Sequence, residues 1–299
     1  MPEVITPKSR EHWLELRSTD ITSTDVSALT GHNPYKSKFQ LYKEKTTGED
    51  YFTETDYVRW GKRLEQAIGF GVAEDQNWSV APMPEYVRHD SCYNAGSSFD
   101  FKILGNTPGI LEIKNVDYFA WRRNWTEELA PAHIEIQLQF QLEVSGYAYG
   151  YICAFVGGNT VHLYRRERDQ KTGRALIRHV NDFWADVHKN IEPDINFEAD
   201  AEFLAQLYQN ANGDHADMTA HNRLAEVCAQ YDDARAREKA ALKDKAALKG
   251  EVFSIIGNSP TVEARGFHIN AKSVSKDAYD VPAKTFRQLR ITKQENHDG

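Results

Sequence analysis

Three charged residues, Asp100, Glu112 and Lys114, have the types and spacing for phosphodiester chemistry. The segment that contains them has two short apolar stretches on either side of a turn rich in Gly, Asn and Pro. This pattern is typical of a β-hairpin. Glu112 and Lys114 are two residues apart, so both side chains leave the same face of the second strand, while Leu111 and Ile113 point into a core. If Asp100 lies beside Glu112, two carboxylates and one ammonium converge. This arrangement predicts a divalent-metal site with a lysine beside a water molecule.

The spacing is not unique, because an acid stands two residues before a lysine at three places: Asp100/Lys102, Glu112/Lys114 and Asp169/Lys171. The third pair falls in a polar segment that we interpret as a turn with a solvated ion pair. The first pair belongs to the same hairpin as the second. Only Glu112 and Lys114 lie on an alternating strand with an acid on the strand before it. The alternative is an ordinary half-exposed strand with a cross-strand ion pair.

The composition indicates a globular protein. The chain has 299 residues, of which 40% are hydrophobic and 27% charged, enough for one large domain or one domain plus an appendage. We expect no membrane span and no secretory signal. Three widely spaced cysteines favour a reducing cytoplasm. The net charge of −8 argues against a protein that coats DNA by bulk charge.

Helical periodicity predicts helices within residues 8–30, 39–45, 56–76, 117–130 and 181–190. Strands are predicted near 78–93 and as a second hairpin over 150–165. Residues 131–144 are ambiguous, because their apolar residues alternate strictly while their length and composition favour a helix. We choose the helix.

The character of the chain changes after residue 198. Residues 220–250 are rich in Ala, Lys, Arg, Glu and Leu, with a thin apolar stripe, which predicts one long solvated helix or a helical hairpin. Residues 262–291 predict a small β-element. The last eight residues are polar and are expected to fray.

Several motifs occur together in one order: residues 23–48, residues 60–65, the Asp100 to Lys114 hairpin, and residues 137–146 followed by the strand at 150–158. Together they resemble the YqaJ-like viral recombinase family, which includes the lambda-exonuclease-type alkaline exonucleases of the PD-(D/E)xK nuclease superfamily. The resemblance covers residues 10–195.

The resemblance implies a restriction-endonuclease-like α/β core, with a mixed central β-sheet flanked by helices, over residues 1–197. Residues 198–299 would form a C-terminal helical and small β appendage of unknown role. It also implies site residues. The catalytic set would be Asp100, Glu112, Lys114, Gln137 and Glu65. Metal would be held by Asp100, Glu112 and Glu65. A 5′-terminal phosphate would be received by Arg17, Thr22 and Thr24.

The activity implied is a metal-dependent 5′→3′ exonuclease that resects one strand of linear double-stranded DNA and leaves 3′ overhangs for phage-type homologous recombination. Its cofactor would be one or two Mg²⁺ or Mn²⁺ ions. Its partners would be double-stranded DNA, two further copies in a homotrimer ring, and a single-strand annealing protein. Two alternatives remain open: an endonuclease of the same fold, of restriction or junction-resolving type, or an inactive DNA-binding or assembly module. Without the resemblance, the spacing favours an exposed helix residue at Glu65 that pairs with Lys62.

Overall fold

The structure is a computed structural model, which describes residues 1–49, 51, 54–210, 213, 215–275, 289 and 291. The chain divides into two compact units, Met1–Gln206 and Leu207–Gly299. The division into a nuclease core over 1–197 and an appendage over 198–299 stays a prediction.

The first unit contains nine strands and eight helices among its described residues. In chain order they are β1 (Glu3–Ile5), α1 (Arg10–Thr19), β2 (Ile21–Thr22), α2 (Val26–Leu29), α3 (Lys38–Thr47), α4 (Asp56–Gln76), β3 (Val80–Pro82), β4 (Tyr86–Arg88), β5 (Ala95–Ser97), β6 (Phe101–Ile103), β7 (Gly109–Val116), α5 (Tyr118–Asn124), α6 (Ala132–Ser145), β8 (Tyr149–Val156), β9 (Thr160–Glu167), α7 (Gln170–His188) and α8 (Ala201–Leu207).

Five strands form a mixed sheet in the order β3-β6-β7-β8-β9. Strands β6 and β7 make the predicted hairpin, with Phe101 opposite Leu111. Strands β7 and β8 run parallel, and the crossover between them contains α5 and α6. Strands β8 and β9 form the second predicted hairpin. A smaller mixed sheet has the order β1-β4-β5-β2. The predicted mixed α/β fold is therefore confirmed.

Apolar clusters position strand β7. Leu111 and Ile113 pack with Ile68 and Val72 of α4 in one cluster, as the alternation of the strand predicts. A larger cluster contains Ile110 together with residues of α2, α6 and α7. Because the neighbouring strands and α4 fix β7 over its length, side chains that alternate with Leu111 and Ile113 have a defined direction.

Residues 132–145 form a helix, as we chose over the strand alternative. Their strict alternation arises because α6 is covered on more than one side. The buried residues are Ile134, Gln137, Leu138, Phe140, Gln141, Leu142 and Val144. Pro131 takes the N-cap position. With so much of the helix surface buried, a single apolar stripe is no longer the expected pattern.

Two helix predictions were wrong in extent. Helix α7 begins at Gln170, eleven residues before the predicted start at residue 181, because Asp169 caps it by accepting from the Thr172 amide at 2.7 Å. Asp169 is therefore a helix cap and not part of a solvated turn. Helix α5 ends at Asn124 and does not continue to residue 130.

The second unit contains one helix and one hairpin among its described residues: α9 (Asn222–Ile256), β10 (Thr261–Ala264) and β11 (Phe267–Asn270). The long-helix alternative is thus observed and the helical hairpin is not. Most of residues 281–291 and all of the last eight residues lie outside the described residues. None of the helices described is both long enough and apolar enough to cross a bilayer.

Candidate active site

The Glu112 carboxylate is the centre of a buried polar cluster on β7. Its Oε1 accepts from Lys114 Nζ at 2.7 Å and from Gln137 Nε2 at 2.6 Å. Its Oε2 accepts from Gln141 Nε2 at 2.7 Å. Glu112 is only 3% exposed, so these donors replace the water that a carboxylate needs. Strand β7 supplies the acid and the lysine, and α6 supplies the two amides.

Asp100 precedes β6 and reaches across to β7, where its Oδ2 accepts from the Ile113 amide at 2.7 Å. Burial raises the pKa of Asp100 well above its usual range, and the charges of Glu112 and Glu65 add to this effect. Burial and the charge of Glu112 likewise raise the pKa of Glu65. The structure therefore brings these three carboxyl groups within electrostatic range of one another.

Lys114 is the cation of this cluster. Burial tends to lower its pKa, but the charges of Glu112 and Asp100 outweigh burial, so the pKa of Lys114 is raised. Its Nζ also donates to Gln137 Oε1 at 3.1 Å. One ammonium thus faces three carboxyl groups, which leaves an excess of negative charge.

Hard oxygen donors with excess negative charge fit Mg²⁺ or Mn²⁺ in kind. Across the described residues, however, no three Asp, Glu, His or Cys side chains are close enough together to hold a metal ion. A metal shared by Asp100, Glu112 and Glu65 therefore requires these side chains to approach one another more closely than they do in this structure. The alternative pairing of Glu65 with Lys62 is not observed, because Lys62 pairs with Glu54 at 2.7 Å.

Arg17, Thr22 and Thr24 also come together. Arg17 Nη2 donates to Thr24 Oγ1 at 3.2 Å, and the Thr22 and Thr24 hydroxyls are 2.9 Å apart. The Arg17 guanidinium lies over the Trp13 ring, 4.6 Å from its centroid. Thr24 is exposed and Arg17 is half-buried, so the group, which we call the Arg17 cluster, opens to solvent.

A buried ionic group supports the Arg17 cluster. Asp25 Oδ2 accepts from Thr22 Oγ1 at 2.8 Å and lies 3.3 Å from Lys45 Nζ, while its Oδ1 lies 3.4 Å from Lys36 Nζ. Burial alone would raise the pKa of Asp25, but Lys45, Lys36 and Arg17 together hold it well below its usual range. Lys36 Nζ also donates to Glu44 Oε2 at 2.5 Å, so the three cations Arg17, Lys36 and Lys45 lie around two carboxylates.

Ser98 connects the two groups. Trp13 Nε1 donates to Ser98 Oγ at 2.9 Å, and the Ser98 carbonyl accepts from Gln141 Nε2 at 3.2 Å. The same Gln141 amide holds Glu112. A continuous chain of contacts thus runs from Arg17 through Trp13, Ser98 and Gln141 to the catalytic candidate.

Sequence reasoning did not single out Gln141, Asp25, Lys36, Lys45, Trp13 or Ser98. A signal existed for Gln141, because it follows Gln137 by four residues and therefore lies on the same face of α6. No pattern identified Asp25 or Lys45, since their pairing joins the start of α2 to the last turn of α3.

Comparison with known proteins agrees with the resemblance. Residues 12–148 match the family model of the YqaJ-like viral recombinase domain. The uncharacterised protein YqaJ of Bacillus subtilis strain 168 is 28% identical over 222 residues, which is 72% of this chain and 69% of that protein.

Solved structures show the fold. The alkaline exonuclease LHK-Exo from Laribacter hongkongensis superposes with a TM-score of 0.52 at 19% identity, covering 65% of this chain and 100% of that chain. LHK-Exo in complex with dAMP gives a TM-score of 0.51 at 20% identity, with the same coverage. The restriction-endonuclease-like α/β fold and the family resemblance are therefore both confirmed. Over residues 12–148 this chain is thus similar to the YqaJ-like viral recombinase domain.

Proposed function

We propose that this protein is a metal-dependent 5′→3′ exonuclease that resects one strand of linear double-stranded DNA and leaves a 3′ overhang. The observation that supports this most strongly is the physical link between two clusters. The Glu112 cluster has the groups for hydrolysis, and the Arg17 cluster has groups that fit a terminal phosphate. Ser98 and Gln141 connect them. The solved relatives named alkaline exonucleases agree with a nuclease.

Asp100, Glu112 and Glu65 are the residues that would hold one or two Mg²⁺ or Mn²⁺ ions. Such an ion, when bound, polarises a phosphate and lowers the pKa of a coordinated water. The three carboxyl groups face only one ammonium, so added positive charge would relieve their mutual repulsion.

The protein's own groups would orient the reactants. Lys114 Nζ donates to Glu112 and Gln137 and has one further proton, with which it would orient the attacking water. Gln137 bridges the acid and the lysine and keeps both in place. Burial of Glu112 excludes competing water from this side.

The Arg17 cluster would select a chain end. A guanidinium makes two parallel hydrogen bonds to a phosphate, and the Thr22 and Thr24 hydroxyls can donate to the same group. Lys36 and Lys45 contribute two further positive charges, which Asp25 and Glu44 offset in part. A pocket that receives a terminal phosphate favours hydrolysis at ends, which distinguishes an exonuclease from an endonuclease of the same fold.

The deciding experiment compares linear duplex with a 5′-phosphate, linear duplex with a 5′-hydroxyl, and closed circular DNA, each with Mg²⁺ and with a chelator. We expect loss of one strand from the 5′-phosphorylated linear duplex, slower loss from the 5′-hydroxyl form, and no attack on the circle. Equal cleavage of the circle would support the endonuclease alternative. Absence of any Mg²⁺-dependent cleavage would support the inactive DNA-binding module.

We further propose a homotrimer ring around the duplex and a single-strand annealing protein as partner, both from the family resemblance. The mass of residues 1–206 in solution tests the trimer. Co-purification with an annealing protein supplied from the same recombination system tests the second proposal.

A further inference from the structure

Helix α9 exposes an apolar seam. It is 35 residues long, and among the residues that the structure describes none of its side chains is buried. Large apolar side chains that are 40% to 76% exposed recur along one side of it: Leu224, Val227, Tyr231, Leu248, Val252 and Ile255. Leu242 and Phe253 are also exposed and lie outside this seam. Helices in proteins take most of their stability from packing such a face, so this seam needs a partner.

The seam has a seven-residue period. One series, at 227, 234, 241, 248 and 255, is Val, Ala, Ala, Leu and Ile. The other, at 224, 231, 238, 245 and 252, is Leu, Tyr, Glu, Lys and Val. These are the d and a positions of five heptads, the pattern of a left-handed coiled coil. Only Glu238 and Lys245 interrupt it.

We propose that α9 pairs antiparallel with α9 of a second copy of this chain. In a parallel pair in register, Glu238 would face Glu238 of the other copy, and Lys245 would likewise face Lys245. Like charges at two seam positions oppose that arrangement. A two-fold axis between Lys239 and Ala240 instead sets each a position level with a d position of the other copy, and it brings Glu238 of each copy within about one helical turn of Lys245 of the other.

The large apolar residues of the seam fit the same axis. Leu224 is then level with Ile255 of the other copy, Val227 with Val252, and Tyr231 with Leu248, so each of them meets another apolar side chain. Ala234 and Ala241 are small and let the two helices approach closely near the centre. The interface is self-complementary, as a two-fold contact requires. This charge complementarity belongs to the pairing of α9 with itself, and it therefore favours a second copy over an unrelated protein.

The first test is the mass of the full chain in solution, measured by light scattering. We expect twice the mass of the Leu248→Glu/Val252→Glu variant, whatever assembly the first unit forms. Lys243→Glu, a charge reversal on the opposite face of α9, is the matched control and should leave the mass unchanged. A cooperative unfolding transition of the first unit that matches that of the full chain shows that the variants are folded. Equal masses for the full chain and the seam variant overturn the proposal.

The second test fixes the orientation by charge exchange. Glu238→Lys and Lys245→Glu should each weaken self-association by roughly tenfold or more, because each places like charges together. The double exchange Glu238→Lys/Lys245→Glu should restore it. A parallel pair keeps like charges in all four proteins, so single variants that match the full chain, or a double exchange without recovery, overturn the antiparallel arrangement. Neither readout depends on nuclease activity.

Discussion

Glu112 is held by three donors, and two of them come from α6, about one helical turn apart. Gln137 contacts both Glu112 and Lys114, whereas Gln141 contacts Glu112 and the Ser98 carbonyl. Gln137 thus contacts both groups of the proposed chemistry, whereas Gln141 orients Glu112 alone. The two amides should therefore respond differently to substitution.

Lys114→Ala should retain duplex binding within about threefold and lose turnover by roughly a hundredfold or more, because it removes the group beside the proposed water. Lys102→Ala is the matched control, since Lys102 also follows an acid by two residues. Binding by fluorescence anisotropy and single-turnover cleavage separate the two effects. Retained turnover in Lys114→Ala would exclude the lysine from the mechanism.

Gln141→Met should lower kcat by roughly 10- to 100-fold with little change in KM, because Glu112 loses a donor that orients it while the pocket for DNA stays intact. Gln139→Ala, on the other side of α6, removes contacts to Glu167 and Asp169 and should leave kcat unchanged. Steady-state cleavage of 5′-phosphorylated duplex provides the measurement. An equal fall in both variants would point to a general structural effect.

Asp25→Asn should destabilise the protein by about 2–4 kcal/mol at pH 7, because it removes the carboxylate that pairs with Lys45. The Lys45 side chain is 7% exposed, and its ammonium would keep the Arg17 carbonyl as an acceptor but lose the neutralising charge. The folded-state pKa of Asp25 is lowered, so its stabilisation is complete above the unfolded pKa of about 3.9 and is lost as the pH falls. The difference in free energy of unfolding between Asp25→Asn and the wild type should therefore shrink below about pH 4.

Urea unfolding at pH 7 and pH 3 measures this difference. Asp56→Asn is the control, since Asp56 is an exposed partner of Arg59 on α4 and should change stability by less than about 0.5 kcal/mol. A difference that grew on acidification would contradict the assignment.

Helix α4 places Glu65 at the site by packing closely on β6. At Gly69, a Cβ would lie 2.3 Å from Cε2 of Phe101, whose side chain is fully buried. Thr55 caps the helix, and Ile68 and Val72 bury its inner face. The approach of α4 to the sheet thus depends on one glycine.

Gly69→Ala should destabilise the protein by about 1–3 kcal/mol, because the methyl group overpacks against Phe101. Gly71→Ala is a matched control on the same helix: a Cβ there meets nothing within 4 Å, and the substitution should stabilise by about 0.5–1 kcal/mol. Urea unfolding measures the midpoint of each variant. Equal shifts of the two midpoints would show that α4 can move away from the sheet.

Helix α8 bears on where the first unit ends. Phe203 is buried, with ring centroids 5.9 Å from Phe39 and 5.1 Å from Tyr51. A chain cut after residue 206 keeps these contacts, and one cut after residue 197 loses them.

We expect the chain ending at residue 206 to unfold cooperatively and to keep end-dependent cleavage. The chain ending at residue 197 should be less stable by about 3 kcal/mol or more, as for removal of a buried Phe. Thermal unfolding of the two truncated chains compares them directly. Equal melting temperatures would show that α8 adds nothing to this unit and would favour the boundary at 197/198.

Local patterns determined much of this protein from the sequence. The extent of α4, the two hairpins and the inward direction of Leu111 and Ile113 follow from periodicity and turn residues, which are set by near neighbours. The start of α7 was missed because Gly173 suggested a turn. A Cβ there would lie 2.3 Å from Glu143 Oε2, so the glycine serves contact between helices and not chain reversal.

Tertiary structure alone decided which distant groups meet. The Glu112 donor Gln141 is 29 residues away, and the contact of Trp13 with Ser98 spans 85. Such pairs leave no period in the sequence, because neither residue's local conformation depends on the other. They form only once burial has removed water from both and each polar group must find a partner inside the protein.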